Sequence, residues 1–115
     1  MLAHPTTISA RLKGQSRGLL LCGHSHLPRI VRGTDELLIV NPGSVGCPAY
    51  ADPNAPAHVS ECGSPHARYA LLSRVMSAWT IDFIAVAYDW NAASMRAAEN
   101  GRADWAHALV TGFMG

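Results

Sequence analysis

Two short apolar runs, each stopped by a turn containing glycine, restrict this chain most: "LLLCGHSHLPRIVRG" at residues 19–33 and "ELLIVNPGSVG" at residues 36–46. Four consecutive apolar residues ended by Gly or by Asn-Pro are too few for an ordinary helix, so each run predicts a buried strand, at 19–22 and 36–41. Between them stand two histidines one residue apart, His24 and His26, just past Gly23. Glycine turns the backbone without a Cβ clash. The imidazoles therefore fall at the C-terminal edge of a strand, where sites in layered α and β folds gather.

The flanking segments complete a mixed α and β pattern. "TTISARL" at 6–12 places Ile8 and Leu12 on one side of a brief helix. "CPAYADPNAPAHVSECGSPHA" at 47–67 has four prolines and no periodicity, which predicts a long loop, either a rim or lid or a tolerated surface excursion. "RYALLSR" and "WTIDFIAVAY" predict a hairpin turning at "VMSA", with a bulge or two-sided burial where the apolar phase slips at Ile84. Asn91 is placed to cap a helix over "AASMRAAEN", ended by Gly101. "ADWAHALV" then sets Trp105, Ala108 and Leu109 on one face before Gly112.

Composition narrows the function classes. A chain of 115 residues, 49% apolar and 15% charged, has the length and burial capacity of one folded domain. Its net charge of +1, with nine Lys and Arg scattered, supplies no surface for nucleic acid or an anionic membrane. No apolar run approaches the roughly 20 residues that span a bilayer, and "MLAHPTTISARLKG" lacks the pattern of an export signal, so the expected location is cytoplasmic. Cys22, Cys47 and Cys62 are expected as free thiols.

His-x-His on a tight turn can direct two imidazoles at nearby divalent ions, and imidazole suits zinc, manganese, iron or nickel. The same spacing fits one packed imidazole beside a solvated one. In "NPGSVG" at 41–46, Asn41 and Pro42 start a turn, Gly43 and Gly46 permit positive φ, and Ser44 adds a hydroxyl, so backbone amides can line an anion pocket. Arg68 is placed to meet a phosphate or a surface carboxylate, and His58 and His66 to line an entrance or face solvent. Cys22 reads as a buried strand thiol or a partner of the histidines in a structural zinc site. Trp79, Trp90 and Trp105 read as core or interface residues.

Taken in order, "LCGHSHLPR", "LLIVNPGSVG" and "ARYALL" resemble the C-terminal half of the calcineurin-like metallophosphoesterases, in particular their small bacterial and archaeal phosphodiesterase branch. The resemblance implies a partial phosphoesterase domain over residues 1–115. It would be the C-terminal part of a four-layer αββα sandwich, a mixed β-sheet with two C-terminal helices. It implies a metal-dependent phosphoester hydrolase with a pair of divalent ions (manganese, zinc, iron, nickel or magnesium), His24 and His26 each serving a different ion. Asn41, Gly43, Ser44 and Arg68 become phosphate-loop candidates, and the substrate a phosphoester. Two cations about 3.5 to 4 Å apart stabilise both the attacking and leaving oxygens of such an ester.

The family's upstream motifs are an aspartate-x-histidine, a glycine-aspartate, a glycine-asparagine-histidine and one further histidine; residues 1–18 hold only His4 as a candidate for the last. The sequence therefore looks like the C-terminal portion of a phosphodiesterase, through truncation, a split gene or a mistaken start, with no complete catalytic set of its own. Its open strand edges predict pairing with a complementing N-terminal half or with itself. The alternative is a non-catalytic remnant that binds metal or oligomerises.

Overall fold

A computed structural model describes residues 5–12, 14, 18–33, 36–54 and 56–115. His4 lies outside the described residues. The elements run α1 (Pro5–Arg11), β1 (Gly18–Leu21), β2 (Arg29–Arg32), β3 (Leu37–Asn41), β4 (Ala49–Asp52), β5 (His58–Glu61), β6 (Ala67–Val75), β7 (Ala78–Val86), α2 (Trp90–Glu99) and α3 (Ala103–Thr111). The class is mixed α+β. In place of one mixed sheet there is a three-stranded sheet, β1-β3-β2, and two antiparallel hairpins, β4-β5 and β6-β7.

Strand β3 organises the first sheet. It pairs in parallel with β1, Leu20 opposite Ile39, and antiparallel with β2, Arg29 opposite Asn41. Leu37, Ile39, Val40 and Asn41 are all buried, without the alternation of a one-sided strand. Such a run is expected where both faces of a strand are covered. On one face Leu20, Val31 and Ile39 meet Ile8 of α1 and Leu12 just past its end around a groove of about 340 Å³. On the other, Leu21 and Val40 meet Tyr69, Ala70 and Leu72 of β6 around a groove of about 420 Å³. Each fully buried aliphatic side chain here, Leu37 and Val40, contributes about 2 kcal/mol.

The 47–67 segment is not a loop throughout. It folds as the β4-β5 hairpin, Tyr50 opposite Ser60 and Asp52 opposite His58. Its prolines fall outside the strands, at 48, 53, 56 and 65, where the missing N–H breaks no ladder bond. Helix α3 packs on β4, where Ala49, Ala108 and Leu109 are buried together with the helix end. Gly112 closes α3 in the left-handed conformation, φ 77°, and its carbonyl accepts the Gly63 amide at 3.0 Å.

Of the two alternatives at Ile84 the structure takes two-sided burial, and two further expectations are corrected. The β6-β7 register runs without interruption from Ala67–Val86 to Val75–Ala78, so no bulge sits at Ile84. The covered side changes instead, from Trp79 and Ile81 to Ile84. Asp89, not Asn91, caps α2, its carboxylate accepting the Ala92 amide at 2.9 Å. Trp105 stays 40% exposed under the Arg102 guanidinium while Ala108 and Leu109 are buried. Among the described residues no helix is long and apolar enough to cross a membrane.

Candidate functional site

The Gly23–His26 turn leaves the end of β1 beside the end of β3. His24 and His26 both lie in the left-handed region, φ 72° and 59°. L-residues with a Cβ occupy that region rarely, and they persist there when surrounding contacts over-determine them. Those contacts form a regular series, one side-chain donor to each of four consecutive carbonyls. Asn41 Nδ2 donates to the Gly23 carbonyl at 3.0 Å, and the Tyr50 hydroxyl to that of His24 at 2.8 Å. The Ser60 hydroxyl donates to the Ser25 carbonyl, and the Cys62 thiol to that of His26 at 3.0 Å.

The second motif is held by the same residues. Asn41 is buried, its Oδ1 accepts the Gly43 amide at 3.0 Å, and its Nδ2 also donates to the Ser25 hydroxyl at 2.9 Å. Ser44 Oγ accepts the Cys47 amide at 3.1 Å, and the Ser44 carbonyl accepts the Arg68 amide at 2.9 Å. Asn41, Gly43 and Ser44 thus join the His turn to β6. The amide of Asn41 is committed to the protein and not open to a ligand.

Arg68 is half-buried and has no carboxylate partner among the described residues; its guanidinium donates to Ser64 Oγ at 2.7 Å. Its buried Nε has no partner among the described residues. The side chain passes Gly43, where an added Cβ would sit 3.1 Å from Arg68 Cβ, and that glycine has φ 92°. Burial pushes the Cys62 thiol above its usual range, with the Arg68 guanidinium opposing it. Burial also pushes up Cys47, with Cys62 adding to the effect. Cys22 is exposed just past β1, contrary to the expected buried strand thiol, and all three cysteines are free.

The imidazoles are set among aromatic neighbours. The His26 ring lies 4.7 Å from that of Tyr50, and the His24 ring 6.2 Å from Tyr50 and 6.4 Å from His58. Hairpin β4-β5 therefore brings His58 to the turn, whereas His66 packs 5.4 Å from Trp90. Asp52, across the ladder from His58, is held below the usual carboxylate range by the amides of Asn54, with His58 and His24 adding to this. Burial raises the Tyr50 hydroxyl, and Asp52 and Cys47 reinforce it. No local pattern points to Tyr50, Ser60 or Cys62 as partners of the turn, because each meets it only through the hairpin's tertiary placement.

The donor set suits a metal in one specific respect. His26 Nδ1 lies 2.9 Å from the Cys47 carbonyl. A carbonyl only accepts, so Nδ1 carries a proton, and in the neutral imidazole that leaves the lone pair on Nε2, the arrangement common to metal-ligating histidines. Among the described residues no three His, Cys, Asp or Glu side chains converge as a complete cage. No family model matches the chain, and no curated protein matches it.

Proposed function

We propose that this chain supplies the histidine half of a dinuclear centre in a metal-dependent phosphoester hydrolase, a phosphodiesterase or phosphatase acting in the cytoplasm. The observation that carries the reading is the His26–Cys47 contact, which puts a proton on Nδ1 and so leaves Nε2 as the ligating atom of the neutral imidazole. The clamped turn adds to it, since ligands held in place need little rearrangement to bind. Divalent ions, whether manganese, zinc, iron, nickel or magnesium, would supply charge stabilisation at the phosphoryl oxygens. His24 and His26 would hold them, Asn41 and Tyr50 orient the turn, and the 41–46 loop backs it. The carboxylates of the family's upstream motifs would come from polypeptide outside residues 1–115, which would complete the αββα sandwich beside β1.

The test is hydrolysis of bis(p-nitrophenyl) phosphate with manganese, the chain being combined with a family N-terminal half. Activity that requires manganese and disappears in His24→Ala and His26→Ala supports the reading. Full activity in both variants would remove it.

A second reading has its own support. Among the described residues β1 is an edge strand, its Leu21 is 61% exposed, and an unpaired edge with an exposed apolar side chain favours association. As a non-catalytic module the chain would self-associate through this edge and bind metal without hydrolysis. A monomer by light scattering at tens of micromolar would exclude it.

A further inference from the structure

We propose that Tyr50 is the positioning residue for His24, which makes hairpin β4-β5 part of the metal-binding device; this rests on His24 and His26 being metal ligands. His24 holds a strained φ of 72°, so something outside the turn must fix it. Tyr50 has one phenolic proton, and the His24 carbonyl 2.8 Å away can only accept it, so that proton is committed. His58 Nε2 lies 3.3 Å from the same hydroxyl oxygen, with its ring edge-on at 5.7 Å, and backs the phenol from the neighbouring strand.

The β4-β5 ladder adds a second constraint on the turn. Tyr50 and Ser60 are directly paired across β4-β5, and their hydroxyls take the consecutive carbonyls of His24 and Ser25. Side chains directly opposite in a ladder project to the same face of the sheet. One rung therefore fixes two successive peptide units, and with them the direction in which the His24 imidazole leaves the backbone. The Tyr50 ring, 4.7 Å from that of His26, also limits where the second imidazole can turn.

The experiment compares wild type with Tyr50→Phe, which keeps the ring and removes only the donor. Cobalt(II) affinity is read by calorimetry, and the ring resonances of His24 and His26 by NMR on the metal-free proteins. The expected result is a loss of about tenfold in affinity, the range for removing a group that orients a ligand. The metal-free His24 resonances should shift while signals from α2 and α3 stay in place. Unchanged affinity together with unchanged His24 resonances would overturn the proposal. Absence of cobalt binding in wild type would count against the metal reading alone, because the metal-free spectra still decide whether Tyr50 positions His24. Should the variant not fold, wild type decides: a slowly exchanging Tyr50 hydroxyl proton supports the clamp, and a freely exchanging one overturns it.

Discussion

The side-chain amide of Asn41 lies 2.9 Å from the Ser25 hydroxyl, and through that contact the end of β3 is tied to the turn that follows β1. Parallel neighbours such as β1 and β3 have no short connection of their own. A polar bridge between their C-terminal ends sets how the two following turns face each other. Because Asn41 is buried with three partners, Asn41→Ala removes the partner of the Gly43 amide and one of the two donors to the Gly23 carbonyl, which keeps the Ser25 amide at 2.9 Å.

Loss of those bonds should destabilise the fold by about 2 kcal/mol, since each lost hydrogen bond is worth about 1 kcal/mol. Urea unfolding measures it. Asn41→Asp should be nearly as damaging at neutral pH, because a carboxylate cannot donate to Gly23 or Ser25. A loss below about 1 kcal/mol in both variants would show that the bridge is replaceable.

The sequence made some of this visible and hid the rest for physical reasons. Runs such as "LLIV" and "ALLSR" announce strands by their own apolar content. Strand β2, "RIVR", has two apolar residues between arginines and is a strand only because β3 pairs with it. Strands β4 and β5 have four residues each, with prolines just outside them. Their order comes from each other and from α3 beneath β4, which no local pattern encodes. The Gly-His-x-His turn is local in sequence and was legible. The donors that hold it, at 41, 50, 60 and 62, are dispersed over twenty-odd residues and come together only when the hairpin folds.

Gly112→Ala tests the junction between α3 and β5. An added Cβ would lie 2.1 Å from the Ser64 amide nitrogen, and the φ of 77° already disfavours any residue but glycine. The obstacle is backbone, so a side-chain rotation cannot relieve it. Strain and overpacking together should cost about 3 kcal/mol or more. Calorimetry should then find a melting temperature lower by roughly 10 °C; an unchanged transition would mean that the junction yields.

The Arg102–Asp104 pair gives the chain a defined acid response. Hydrogen bonds from the Arg102 guanidinium are the main cause holding the Asp104 carboxyl down to about 2. A carboxyl with a depressed folded-state pKa binds fewer protons than in the unfolded chain, so stability rises with pH between the two values. The contribution is complete above the ordinary aspartate range near about 4 and is lost as pH falls through about 2. Both side chains are well exposed, so the effect is small and weakens with added salt. In Asp104→Asn the unfolding midpoint should depend less on pH between those limits, and identical pH curves for the two proteins would refute the assignment.

The β6-β7 turn carries a correctable strain. Met76 and Ser77 both have positive φ, 47° and 71°, and Val75 pairs with Ala78 across them. Two such residues between paired strands make the two-residue hairpin turn that asparagine and glycine fill best. Met76 is 96% exposed, so replacing it removes no packing to offset the gain. A non-glycine residue in this region costs about 1 kcal/mol or more, and asparagine and glycine tolerate it. The double variant Met76→Asn, Ser77→Gly should therefore gain about 1 to 2 kcal/mol in urea unfolding, without altering cobalt affinity at the distant turn. A double variant no more stable than wild type would mean that the hairpin forms another turn in solution.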